Sequence, residues 1–206
     1  MKDLDAFLPD IMQYAPGCAI PSAYFGIRKA AIEFCERTRL WRYEDDFDVS
    51  LDGCDAILAP AGAVVHEIES ATFDGQPLTQ QTTAWLDQRE RGWREGLLTG
   101  APRYLTQIMP DTLRLVPVQA GHLRLYLWLK PADDADQLPD FMADQHRETI
   151  ARGALGRILL MPNQSFTNAE LGSAFFASFQ QKLDSLSTKG SSGQQRATTR
   201  TRSSPF

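Results

Sequence analysis

The sequence predicts an α+β protein. Helices from the two ends of the chain form a bundle, a small antiparallel β-domain is inserted between them, and an extended C-terminal arm follows. Three observations predict this. Residues 21–41 and 138–186 repeat apolar side chains three and four apart, the spacing of one face of a helix. Residues 42–130 switch to alternation with period two, interrupted by Gly and Pro. Residues 187–206 are rich in Ser, Thr, Gly and Gln and hold almost no apolar residue before Phe206. Such a segment buries too little surface to offset its own ordering entropy. The expected domains are therefore 1–41 with 138–186, then 42–130, then 187–206.

The elements follow in order. Asp3 to Tyr14 reads as a short helix with Leu4, Phe7, Leu8, Ile11 and Met12 on one side and a kink at Pro9. Residues 15–18 make a turn. The next helix organises the rest. It starts at Ile20-Pro21-Ser22, with Ser22 as a cap, and runs to Trp41. Its stripe is Tyr24, Ile27, Ala31, Phe34, Thr38 and Trp41. Its outer face offers the pairs Lys29–Glu33 and Glu36–Arg39.

From Arg42, Tyr43, Asp45, Phe47 and Val49 alternate with Glu44, Asp46, Asp48 and Ser50, as in a half-buried strand. Asp52-Gly53 is a turn, and Ile57-Leu58 a strand remnant. Val64 to Phe73 is a second strand, closed by the hairpin pair Asp74-Gly75, with Gln76 to Thr79 returning. Thr82 or Thr83 caps a helix over residues 84–93. Strands follow at 103–108, 112–117 and 122–130, so the insert is about six short strands, small for a sandwich. Residues 131–136 form an acidic loop. A helix spans 139–161, stopped by Pro162-Asn163, and its faces are marked by Phe141, Met142, Gln145, Ile150, Ala154, Leu155, Ile158 and Leu159. The last helix, 169–186, is capped by Asn168 or Thr167, with Leu171, Phe175, Phe176, Phe179, Leu183 and Leu186 inward. These two helices are the long amphipathic partners for residues 20–41, and the β-domain is expected to protrude from the bundle they form.

Composition bounds the function. The chain has 206 residues, is 43% apolar and 23% charged, and carries a net charge of −5. A whole-molecule electrostatic nucleic-acid binder is excluded by that charge. The balance is uneven: after Asp184 there is no acid, while Lys189, Arg196, Arg200 and Arg202 are basic. The sequence is thus a basic arm on an acidic body. The arm is expected to order on a protein partner, with Phe206 as anchor. Three cysteines, Cys18, Cys35 and Cys54, with no CxxC suit neither a disulfide framework nor a zinc site, and Cys35 reads as a small buried hydrophobe. No signal peptide or membrane span is expected. The expected product is a soluble subunit made in a reducing cytoplasm.

Catalysis has little support. His66, His122 and His146 stand in different elements. A cysteine hydrolase built on Cys35 and His146 would require a solvent-reachable thiol beside that imidazole. The acidic clusters 44–48 and 133–136 lack the Gly and closing Glu of a calcium loop and read as solvated faces. Gly92, Gly96 and Gly100 are not a phosphate cradle. Trp41, Trp85, Trp93 and Trp128 read as core or interface anchors. No cofactor and no metal is expected. A DNA-binding module working through the arm is a further alternative, and would show steep salt dependence.

Four stretches carry a resemblance. They are IRKAAIEFCERTRLWRY before a strand-rich segment, VVHEIESATFDGQPL with its Asp-Gly turn, GAPRYLTQIMPDTLRLVPV with Gly-x-Pro-x-Tyr, and the Leu-Pro-Asp helix LPDFMADQHRETIARGALGRILLMP. In that order, in pieces over residues 1–186, they resemble the head-to-tail adaptor proteins of tailed bacteriophages. The resemblance implies a structural virion protein at the head–tail junction, not an enzyme. It implies a ring of about twelve copies between the portal and the tail nozzle or other tail proteins, with no membrane partner. DNA would pass through its channel without sequence-specific binding, and an acidic inner face would suit that. It also implies portal contact through the arm, hence through Lys189, Arg196, Arg200, Arg202 and Phe206. A tail-completion or stopper protein is the neighbouring alternative.

Overall fold

The structure, a computed structural model, describes residues 1–50, 54–57 and 59–190. In chain order it contains β1 (Lys2–Asp3), a 3-10 turn (Leu4–Phe7), α1 (Leu8–Met12), α2 (Ile20–Thr38), β2 (Arg42–Val49), β3 (Cys54–Ala56) and β4 (Ala63–Phe73). Then come β5 (Gln76–Pro77), β6 (Thr79–Gln80), α3 (Thr83–Arg89), β7 (Tyr104–Thr106), β8 (Thr112–Val116) and β9 (Gly121–Pro131). The chain continues with β10 (Gln137–Leu138), α4 (Asp140–Ile158) and α5 (Ala169–Gly190). The class is α+β, as expected. The chain divides into two compact units, one containing residues 1–40 with the chain from 130 onward, the other residues 41–129.

The helical unit is held by close approach. Ala23, Ile27, Ala30, Ala31, Phe34 and Cys35 of α2 are fully buried. A Cβ on Gly26 would stand 3.1 Å from Ile158 Cδ1, and one on Gly153 would stand 2.9 Å from the Phe179 ring. At Gly156 the added carbon would meet the Phe176 backbone at 3.0 Å. So α4 touches both α2 and α5 where side chains are missing. Leu4, Phe7 and Ile11 close one side of this core.

Several local expectations are corrected here. Residues 3–14 are a strand residue, a 3-10 turn and a short helix, not one helix. Pro9 sits in the first turn of α1, where its missing N–H is no loss, so it starts that helix rather than kinking it. α2 ends at Thr38. Arg39 takes a left-handed φ of 50° and its N–H donates to Cys35 O at 2.9 Å, so Trp41 lies beyond the helix. Ala19, not Ser22, is the N-cap, and no side chain caps it. Lys29, Glu33 and Glu36 on the outer face of α2 reach other elements. Lys29 Nζ lies 2.8 Å from Asp133, Lys130 Nζ lies 2.6 Å from Glu36, and Glu33 accepts from Arg157. In α4, Gln145 is exposed. In α5, Phe176 keeps 37% exposure because Gly156 packs on its backbone instead of its ring. α4 stops at Ile158, short of Met161. Asn168 caps α5, its Oδ1 accepting from the Leu171 N–H at 3.0 Å. Thr167 instead braces the preceding turn through Met161 O at 2.6 Å. α5 then runs on to Gly190, so residues 187–190 are helical and not the start of an extended arm.

The sheet unit has two four-stranded sheets, ordered β2-β9-β4-β5 and β3-β8-β7-β6. Leucines 123, 125, 127 and 129 of β9 face the same core as Leu105, Leu113 and Leu115 of the second sheet. The insert is therefore a small sandwich, larger than six strands. Alternation on β2 is as expected: Tyr43, Phe47 and Val49 pack inward while Glu44, Asp46 and Asp48 are exposed. Asp74 and Gly75 have φ of 46° and 78°, which fits a two-residue hairpin turn with both residues left-handed. Gly121 faces this turn, and a Cβ there would lie 2.4 Å from the Phe73 ring. Three details differ. β5 is followed by β6, which crosses to the second sheet and pairs parallel with β7. α3 ends at Arg89, with Thr82 as its cap, because Trp93 leaves the helix to pack on Leu86 and Val116. The strand expected at 103–108 is shortened to 104–106. The Asp52-Gly53 turn and Leu58 lie outside the described residues, while Ile57 is buried just after β3.

Candidate functional site

Of the expected arm residues, Lys189 lies in the last turn of α5, and Arg196, Arg200, Arg202 and Phe206 lie outside the described residues. The base of the arm is well defined. Phe179, Leu183 and Leu186 seat α5 in the helical core. Arg37 pairs with Asp184 and donates to Gln180 at 2.8 Å, tying the C-terminal half of α5 to α2.

The acidic strand is outward but not bare. Arg124 of β9 reaches Glu44 at 3.0 Å and Asp46 at 3.2 Å. His122 pairs with Asp46 through Nε2 and with Asp48 through Nδ1 at 3.1 Å. The hydrogen bond to Asp48, then the Asp46 charge, hold the imidazole above its ordinary 6.5, against Arg124. Antiparallel register puts these groups directly opposite, Asp46 with Arg124 and Asp48 with His122. The row is a solvated face, as expected, and cross-strand cations offset part of its charge.

Cys35 is fully buried, and burial pushes its thiol far above the ordinary range, with Glu36 adding to the shift. A thiolate nucleophile is correspondingly disfavoured there. His146 stacks near Phe34, ring centroids 4.9 Å apart, and its half-burial lowers its pKa. Nothing in this pair resembles an activated nucleophile and base.

A second polar surface was not anticipated. On the sheet unit, Arg89 lies 4.9 Å over the Trp85 ring, Arg94 4.8 Å over Trp93 and Arg103 5.5 Å over Tyr104. Trp85 and Tyr104 meet edge to face at 5.0 Å. Asp87 accepts two hydrogen bonds from Arg94 at 2.7 Å and one from Trp93 Nε1 at 3.0 Å, which lower its pKa. Leu97, in the same loop, is 75% exposed. The signal in the sequence is the four arginines spread over residues 89–103 among Trp85, Trp93 and Tyr104.

These features define a class. The chain is an α+β building block whose charged side chains tie elements together or line outer faces, while Cys18 and Cys35 are buried. It belongs to the SU10 adaptor protein family, a family of adaptors of tailed phages, whose model matches residues 26–204. The resemblance read from the four sequence stretches therefore holds, and the chain is a phage structural protein of the virion. No curated protein matches the chain. Among the described residues no helix is long and apolar enough to cross a membrane.

Proposed function

We propose that the protein is the head-to-tail adaptor itself: about twelve copies form a ring between the portal and the tail, and DNA leaves through its channel. The observation that carries this reading is the family match over residues 26–204, which takes in the basic segment with Arg196, Arg200 and Arg202 as well as the folded body. The +4 charge of this segment, counted with Lys189, suits an acidic groove on a portal. The firm seat of α5 gives such an arm a fixed base.

The test is direct. Full-length chain mixed with portal is expected to give rings stacked on portal rings in electron micrographs. A chain ended after Gly190 is expected to keep its helical content and lose portal docking. Portal binding unchanged by that truncation removes the arm from the reading, and a chain that stays monomeric on the portal removes the ring.

A further inference from the structure

We infer that neighbouring copies join through opposite edges of the sheet unit, the arginine–aromatic surface of one copy seating on the β2 strand of the next. This rests on the ring reading above.

A ring made by rotation needs two different, complementary patches on each subunit. The sheet unit carries such a pair. In the first sheet β2 and β5 are the two edges. β5 leads directly into β6, the edge of the second sheet, and α3 begins after it. So α3 departs from the edge away from β2.

The α3 side has the side-chain types of a binding centre, with Trp85 and Tyr104 in contact and Arg89 and Arg103 over their rings. Arg94 and Arg103 are already occupied by Asp87 and Glu90. For Arg89 and Arg91 no carboxylate stands within ion-pair distance among the described residues, so their charge is available to a partner. Arg89 is also held over Trp85, which lowers the entropy lost on docking.

The β2 side offers the complement. The strand pairs with β9 alone and is therefore an edge of its sheet. Glu44, Asp46 and Asp48 alternate on its outer face, and the Asp48 side chain is 89% exposed despite its contact with His122. Charge complementarity of this kind sets register and orientation more than raw affinity, which is what a closed ring requires.

The test uses two full-length variants. One is Arg89→Glu with Arg91→Glu; the other is Glu44→Lys with Asp48→Lys. Each alone places like charges across the joint, and each is expected to raise the concentration needed for rings by roughly tenfold or more. Mixed in equal amounts, the two are expected to alternate around a ring with every joint complementary again, so ring formation returns. That rescue also shows that both variants are folded. If both variants form rings like the parent, the inference is overturned while the ring reading stands. If the parent forms no ring even on portal, the ring reading itself fails. If the arginine variant instead loses a salt-sensitive affinity for DNA with rings intact, the surface is a phosphate-binding one and the subunit joint lies elsewhere.

Discussion

The helical unit and the sheet unit solve the same packing problem in opposite ways. In the sheet unit, large side chains fill the space: leucines at every second position of β9 interlock with those of β8 and β7. In the helical unit, missing side chains admit the neighbours: Gly26, Gly153 and Gly156 let α2, α4 and α5 come close. A core filled by big residues fails by developing cavities. A core defined by gaps fails by being wedged apart. The contrast teaches that burial alone does not tell which positions are sensitive.

The contrast can be broken from both sides. The largest effect is expected from removing the main filler of each core. Phe179→Ala should cost about 3–5 kcal/mol and Leu125→Ala about 2–5 kcal/mol, both side chains being fully buried. Hydrogen exchange followed by mass spectrometry should show the loss confined to α2, α4 and α5 for the first, and to the two sheets for the second. Loss spread evenly over both units in either variant would mean they unfold as one. A smaller effect, roughly 1–3 kcal/mol, is expected from Gly156→Val, which drives a side chain into the backbone of Phe176. Equal stability of that variant in urea would refute the close-approach account. The matching small-to-large change in the sheet unit is Gly121→Ala, aimed at the Phe73 ring, and it should disturb the β4–β5 hairpin first.

The smallest expected effect is on pH. His122 has a raised pKa in the folded chain, so its contribution is complete below its ordinary 6.5 and is lost as pH rises through the raised value. The sheet unit should therefore be slightly less stable at pH 8 than at pH 6, and His122→Gln should flatten the difference while leaving the helical unit untouched. The group is solvent-exposed, so screening by salt should shrink the effect further. A pH response unchanged in the variant would assign it to another group.

Much of this was legible in the residues because periodicity acts locally. The alternation in 42–49, the Asp74-Gly75 turn and the Asn168 cap depend on neighbours a few positions away. So does the seat of Phe179, Leu183 and Leu186. The misreadings share a different cause. Lys29 and Glu36 had partners in helical register, yet each was taken by a residue about a hundred positions distant, Asp133 and Lys130. Phe176 fits the stripe but lost its inward place to a glycine on another helix. Trp93 fits a continuation of α3 but found a better pocket against Val116. No local period marks the arginine–aromatic surface, because its members come from a helix, a loop and a strand.

By itself the sequence determined what each segment is: helix, strand, turn or basic tail, and through four short stretches the family. Those depend on chain geometry and side-chain type within a turn or two. Only the tertiary structure decided which faces are closed, which charges are already matched and which arginines remain available. These depend on distances between residues far apart in the chain, and no local period records them.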